Sequence, residues 1–255
     1  MPIPNWPQSE YLVSERHRLV LITIPKVGCS TLTHWFYRIH GRHPDEMTSR
    51  GHAVRNYGLH RQPRERWPQI LRDFDVIGFV RDPWQRAVSA YLNKCVNTWS
   101  YPPAVALIRK HTPDAASGIT FRQFVSLLAE HEPMALDPHW RPVSLFYGGT
   151  RCRAIWALRD MTGRLLELNA KLGVDVSAPT VFPTGYAPPR AQGHVGFAAN
   201  WSAPRLRSLN GYPPWRDFYD RRLRALVAKI YASDIKRFGF KFDHPGRGNY
   251  ATPTP

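Results

Sequence analysis

The stretch LVLITIPKVGCSTLTHWF, Leu19 to Phe36, decides how the rest of the chain is read. Its opening, RLVLITIP over 18–25, is unbroken apolar and β-branched sequence and predicts a buried strand. Pro25-Lys26-Val27-Gly28-Cys29-Ser30-Thr31 follows at once, and then an amphipathic helix begins. Leu32, Trp35, Phe36 and Ile39 fall at i, i+3, i+4 and i+7, so one helical face packs on the sheet. Ser30 is placed to cap this helix, which ends near Gly41. A helix N-terminus directly after a strand offers unpaired N–H groups and a positive dipole end, and such a junction suits an anion. The Walker loop reads G-x-x-x-x-G-K-[ST]. Here the lysine precedes the glycine and the first glycine is missing. The junction reads as a holder of a phosphate-like group, in a manner other than that of an ATPase.

A second junction repeats this logic. FDVIGFV, 74–80, predicts another buried strand, and Arg81 follows it. Asp82 and Pro83 supply a cap and a first helical residue. Trp84, Ala87, Val88, Tyr91, Leu92 and Cys95 form a helical stripe behind them. Ser89 lies eight residues beyond Arg81, about 12 Å along that helix and on roughly the same side. Arginine can fork onto a phosphate and a serine hydroxyl can add a bond. Taken alone, a strand-end lysine is ordinarily a solvated charge and Arg-Asp-Pro an ordinary helix start. The two junctions in this order, about 50 residues apart, suit a ligand with two separated anionic groups, bound at the C-terminal ends of strands.

Outward from these corners, the chain alternates strands and helices. Residues 1–17 read as an irregular lead-in, 18–242 as one domain and 243–255 as a tail. Residues 41–72 are polar and read as a loop with one short helix. Thr120 and Gln123 form a capping box for a further helix. CRAIWAL, 152–158, predicts a third strand, with a helix over 162–172 stopped by Gly173. Residues 174–214 hold many Pro and Gly and read as a long surface excursion. A long helix over 216–237, with Leu223, Leu226, Val227, Ile230 and Tyr231 inward, ends at Gly239. Buried strands alternating with helices predict a single three-layer α/β domain with a central, mainly parallel sheet.

Composition bounds the partners. The chain has 255 residues, long enough for one substantial core, and its nine Trp argue against disorder. Lys and Arg number 35 against 19 Asp and Glu, a net charge of +16. That charge fits an anionic partner (nucleic acid, acidic membrane, anionic glycan or phosphorylated nucleotide) or a merely solubilising surface. Cys29, Cys95 and Cys152 are odd in number and scattered, which predicts thiols rather than a disulfide framework. No His/Cys spacing predicts a metal site. With neither a signal-like N-terminus nor a spanning apolar run, the expectation is a soluble, cytoplasmic protein.

PKVGCST and FVRDPWQRAVSAYLNK resemble the two nucleotide-binding signatures of carbohydrate sulfotransferases, especially the chondroitin 4-O-sulfotransferase type and its bacterial relatives. DPHWRPVS, 137–144, and VAKIYASDIKRFGF, 227–240, are similar to later segments of that family, so the likeness runs from about Leu19 to Phe240. It departs at IWALRDMTG, where relatives carry a Glu-Asn-Leu-like turn. The resemblance implies a P-loop-type sulfotransferase architecture and a donor, 3′-phosphoadenosine 5′-phosphosulfate (PAPS), with no metal. It places the 5′-phosphosulfate on Lys26, Val27, Gly28, Cys29, Ser30 and Thr31, and the 3′-phosphate on Arg81 and Ser89. The acceptor it implies is a glycan or glycolipid hydroxyl, with peripheral membrane contact left open.

Sulfuryl transfer places developing charge on the oxygen that bridges to the departing bisphosphate, and Lys26 is the residue to stabilise it. The acceptor hydroxyl needs a base, and histidine titrates near neutrality. Of eleven His, two stand out. His52 sits in a GHA context resembling the catalytic segment of uronyl 2-O-sulfotransferases, and His139 sits in DPHW. Trp140 stacks on a sugar or fills the core. Arg50, Arg55, Arg61 and Arg64 form an acceptor surface or a solvated face. Two other classes compete. A basic nucleic-acid-binding module lacks a recognisable motif here, and a P-loop kinase lacks the Gly-Lys-Ser/Thr order and a clear Mg²⁺-holding carboxylate.

Overall fold

The computed structural model describes residues 11–42, 62–97, 101–109, 118–177 and 196–242. In chain order, the first elements are β1 (Tyr11–Ser14), β2 (Leu19–Ile22), α1 (Cys29–Arg38), α2 (Trp67–Asp73), β3 (Asp75–Val80), α3 (Pro83–Tyr91), α4 (Pro102–Arg109) and α5 (Phe121–Ala129). The single turn α6 (Ser144–Tyr147), β4 (Ala154–Ala157), α7 (Met161–Leu172), α8 (Ala203–Arg207), α9 (Arg221–Ile230) and α10 (Ala232–Phe238) complete them. These elements form two compact units. One holds the described residues up to Arg81 and those from Phe146 to 177; the other holds those from Asp82 to Leu145 and from 196 to 242.

The first unit contains the sheet, with strand order β1-β2-β3-β4. β2, β3 and β4 are parallel, with Leu19 opposite Asp75 and Ile77 opposite Ala154. This is the mainly parallel α/β sheet that the alternation predicts. β1 is the exception, since it pairs antiparallel with β2, Tyr11 opposite Ile22. The lead-in read as irregular therefore ends in an edge strand. Four buried residues are too short a run to betray a strand, and pairing with β2 satisfies their backbone groups. All of β2 is buried, as expected of a strand covered on both faces. Leu32, Trp35, Phe36 and Ile39 of the α1 region are buried as their spacing requires, and the Trp35 indole donates to Asn169 Oδ1 of α7 at 2.8 Å. Between α1 and β3, Trp67 and Ile70 bury one side of α2, the short helix expected in that polar stretch.

Glycine in the centre of β3 has a steric cause. A Cβ at Gly78 would collide with the Tyr147 hydroxyl and lie 2.8 Å from its Cε1. That phenol crosses the strand to donate to Phe79 O at 2.8 Å. Gly78→Ala is therefore expected to destabilise the protein by roughly 1–3 kcal/mol, the range for an overpacked core. A chemical-denaturation midpoint equal to wild type would show that Tyr147 gives way freely.

The second unit is helical. Asp82 caps α3, accepting from the Gln85 amide at 2.9 Å, with Pro83 at the first position. α3 runs on as a π-helical stretch, Leu92–Asn97, which the stripe of apolar residues does not reveal. Thr120 and Gln123 form the expected capping box of α5. The predicted long helix over 216–237 is broken instead into a short 3₁₀ turn, α9 and α10, with the junction at Tyr231. There the fully buried Tyr231 donates to Trp140 O at 2.8 Å. The second half of the predicted surface excursion is packed. Ala198, Ala199, Ala203 and Leu206 are buried, and the Ala198 amide donates to Asp217 O at 2.7 Å. Among the described residues, no helix is long and apolar enough to cross a membrane.

Candidate functional site

The β2–α1 corner is built by two left-handed residues. Lys26 has φ 67° and Gly28 has φ 72° and ψ 20°. Among the described non-glycine residues only Arg18 shares this region, which costs an L-residue about 1–2 kcal/mol. Strain of this kind persists where the surroundings enforce it, and it gathers at ligand clamps. The enforcement is visible. Between the two lies Val27, 1% exposed, whose amide closes a turn onto Ile24 O at 3.1 Å. Val27 thus anchors the loop, and its N–H serves the turn. Left-handed residues in such a turn are the kind of backbone from which anion nests are built.

Gly28, rather than Ser30, caps α1, and it makes no side-chain capping bond. The cap expected at Ser30 moves because the left-handed glycine already starts the helix one residue later, at Cys29. Ser30 and Thr31 accordingly bring their hydroxyls to the first turn, Ser30 partly exposed and Thr31 nearly buried. No acidic side chain stands in that turn to compete for its positive end. Glycine is required at 28 twice over. Beyond its φ, a Cβ there would lie 2.8 Å from Leu158 Cδ1 and 3.2 Å from Met161 Sδ. The segment following β4, where the sequence departs from the family pattern, therefore packs against this loop.

Arg81 completes the corner. It follows the last residue of β3, and its Nη1 donates to Lys26 O at 3.1 Å. The two junctions read separately from sequence are thus joined by a direct bond, and the guanidinium braces the strained lysine. Ser89, the other predicted phosphate ligand, lies on α3 and is partly exposed.

The candidate bases fare differently. His52 lies outside the described residues, as do Arg50, Arg55 and Arg61; of Arg64 only the backbone, in a 3₁₀ turn, is described. His139, in the helical unit, sits in a hydrogen-bonded cluster. Its Nδ1 is 2.8 Å from Asp137 Oδ1, which also accepts the His139 amide at 2.9 Å. The Tyr101 hydroxyl donates to Asp137 Oδ2 at 2.8 Å and lies 3.0 Å from His139 Nδ1. Burial raises the Asp137 carboxyl, but the bonds from His139 and Tyr101 outweigh it and hold the group below the usual carboxylate range. Burial also raises the Tyr101 phenol, and the Asp137 charge adds to that. Asp137 and Tyr101 escape a reading of sequence motifs, although Asp137 stands two residues before His139 in DPHW. Trp140 is 2% exposed and packs edge-on to Phe124, so it fills the core.

A glycine-bearing loop between a parallel strand and a helix, backed by the arginine that follows the next strand, is a corner of an α/β sheet protein. Sequence comparison narrows the class: the chain matches the sulfotransferase family over residues 9–241 and belongs to it. It is 30% identical over 152 residues to carbohydrate sulfotransferase 9 of Homo sapiens, covering 53% of this chain and 34% of that protein. Carbohydrate sulfotransferase 8 of Mus musculus is 29% identical over 152 residues, 53% of this chain and 36% of its own length. Carbohydrate sulfotransferase 14 of Danio rerio is 27% identical over 143 residues, 52% of this chain and 39% of its own. The matched region is thus little more than a third of each relative. No solved structure matches significantly.

Proposed function

We propose that the protein moves the sulfuryl group of PAPS to a hydroxyl of a carbohydrate or glycolipid acceptor. The observation that carries this reading is the 3.1 Å bond from Arg81 to Lys26 O, which makes one corner of the two signature segments. The corner suits a phosphosulfate on three counts: the left-handed Lys26 and Gly28 on either side of Val27, the start of a ten-residue helix with no side-chain cap, and two cations beyond the strand ends.

In this reading the backbone of Gly28 and Cys29 and the hydroxyls of Ser30 and Thr31 hold the 5′-phosphosulfate. Lys26 takes up the charge that grows on the bridging oxygen as the S–O bond to the phosphate breaks. Arg81 holds the 3′-phosphate, and the resemblance assigns Ser89 to the same group. Positioning and fixed charge supply the rate, as in phosphoryl transfer. The relatives' names point to a carbohydrate acceptor, and the net charge of +16 suits an anionic one or an acidic membrane surface. Cys29, Cys95 and Cys152 form no disulfide, which supports a reducing, cytoplasmic setting.

Incubation with radiolabelled PAPS and three probe acceptors (unsulfated chondroitin, a galactosyl glycolipid and p-nitrophenol) tests the reading. Label is expected on one of the two carbohydrate acceptors. Label on p-nitrophenol alone would overturn the acceptor class, and label on none would overturn the transferase.

A further inference from the structure

Arginines and aromatic rings of the helical unit join into one surface. Arg224 Cζ, on α9, lies 4.0 Å from the centroid of the Phe242 ring, and that ring is 5.1 Å from the ring of Trp215. Arg216 Cζ lies 4.4 Å from the Trp215 ring in turn, so two cations bracket one pair of rings. Both arginines are exposed, while Trp215 and Phe242 are partly buried. Arg221, also exposed, stands three residues before Arg224 and so next to it on the surface of α9. The rings are fixed from behind. Phe242 packs edge-on against Trp84 and Tyr219, both buried, and the Tyr219 hydroxyl donates to Trp84 O at 2.8 Å.

The charge on this face is not offset nearby in the chain. Residues 196–242 hold ten Arg and Lys against three Asp and no Glu, so the balance turns on where those carboxylates are engaged. Asp217 and Asp234 are buried, and Asp234 accepts the Val143 and Ser144 amides. Asp220 accepts from Arg122 at 2.6 Å and from the Leu223 amide at 2.7 Å. Three anionic partners compete for such a face. A bilayer takes up aromatic side chains that can enter its interface, and a nucleic acid stacks its bases on open rings. Here each ring carries a guanidinium on one face, and Phe242 is wedged among three other aromatics, so the rings serve as supports for the charges. A guanidinium stacked on a ring loses less freedom when it forks onto an oxyanion. Forked donors held in place suit the repeated carboxylates of an acidic polysaccharide.

We infer that the face bearing Arg216, Arg221 and Arg224 on the Trp215–Phe242 ring pair is a holding surface for a polysaccharide whose repeat carries a carboxylate. Its work is retention of a chain, not chemistry. It rests on the transferase reading only in taking that chain for the acceptor; the binding itself needs neither PAPS nor turnover.

Calorimetric titration of the full chain with unsulfated chondroitin, without PAPS and at two salt concentrations, tests this. Wild type should bind saturably, less tightly at the higher salt, and uncharged dextran should not bind. The double variant Arg216→Gln/Arg224→Gln should bind chondroitin about tenfold or more weakly, since two charge-assisted contacts are lost, with adenosine 3′,5′-bisphosphate affinity unchanged. Both side chains are exposed, so its melting temperature should stay within about 2 °C of wild type. Arg109→Gln/Arg151→Gln removes the same charge from two exposed positions outside the cluster and should cost less than about twofold. Equal losses in the two double variants would make the attraction diffuse and overturn the surface. So would a wild type that ignores chondroitin, or one that binds phosphatidylserine vesicles or oligothymidylate more tightly. None of these results touches the transferase reading, which labelled transfer from PAPS reports separately. A protein that holds chondroitin through Arg216 and Arg224 but labels no acceptor would keep the surface and lose the transferase.

Discussion

Lys26→Ala is expected to lower turnover by roughly 10²–10³-fold, the effect of deleting one donor aimed at developing charge. The melting temperature should move by no more than about 2 °C, since a partly exposed side chain outside the core is removed. Backbone strain is common to both forms, because alanine at φ 67° is no more comfortable than lysine. Charge on the bridging oxygen appears only as the S–O bond lengthens, so the loss should fall on kcat more than on donor affinity. Steady-state kinetics with labelled PAPS reads this directly. Turnover like wild type in Lys26→Ala would remove the lysine from the mechanism. A loss carried wholly by KM would make it a binding residue instead.

Arg86→Met should have the largest effect on stability. The methionine retains much of the apolar stem, so the cavity is small, and the loss is chiefly electrostatic. Pro138 O and Arg141 O lose their donor, and Asp234 loses the cation that offsets part of its burial. Burial is the larger influence on Asp234 and raises its carboxyl, while the amides of Ser144 and Val143 and the Arg86 charge draw it down. Removing one member of a buried charged set costs about 3–5 kcal/mol. For a chain of this length that corresponds to a fall in Tm of roughly 6–20 °C. Calorimetric unfolding decides it: a loss under about 1 kcal/mol would mean that water or a neighbour replaces the guanidinium.

Much of this was legible in the sequence where the cause is local. The buried face of α1 follows from the spacing of Leu32, Trp35, Phe36 and Ile39. The start of α3 follows from Asp82 and Pro83, and that of α5 from the reciprocal bonds of Thr120 and Gln123. The order strand, Pro-Lys-x-Gly, helix was enough to place the β2–α1 corner. What escaped has its cause at a distance. β1 exists because β2 pairs with it. The break at Tyr231 goes with a hydrogen bond to Trp140, 91 residues away in sequence. Ala198, Ala199 and Ala203 look like loop residues until helices close over them. The bond from Arg81 to Lys26 spans 55 residues, so the sequence could place both at strand ends but not join them. Arg86 and Asp234 are given no role by any motif, and only burial and hydrogen bonding reveal their grip on the backbone of residues 138–144.

The most direct test of the donor corner is calorimetric titration with adenosine 3′,5′-bisphosphate of the wild-type protein and of Arg81→Ala. Saturable one-to-one binding in the wild type, weakened by roughly tenfold or more in the variant, is the predicted result, since the change removes a charge-assisted phosphate contact. No binding by the wild type, or equal binding by both proteins, would contradict the claim that the Lys26 and Arg81 segments make one nucleotide site.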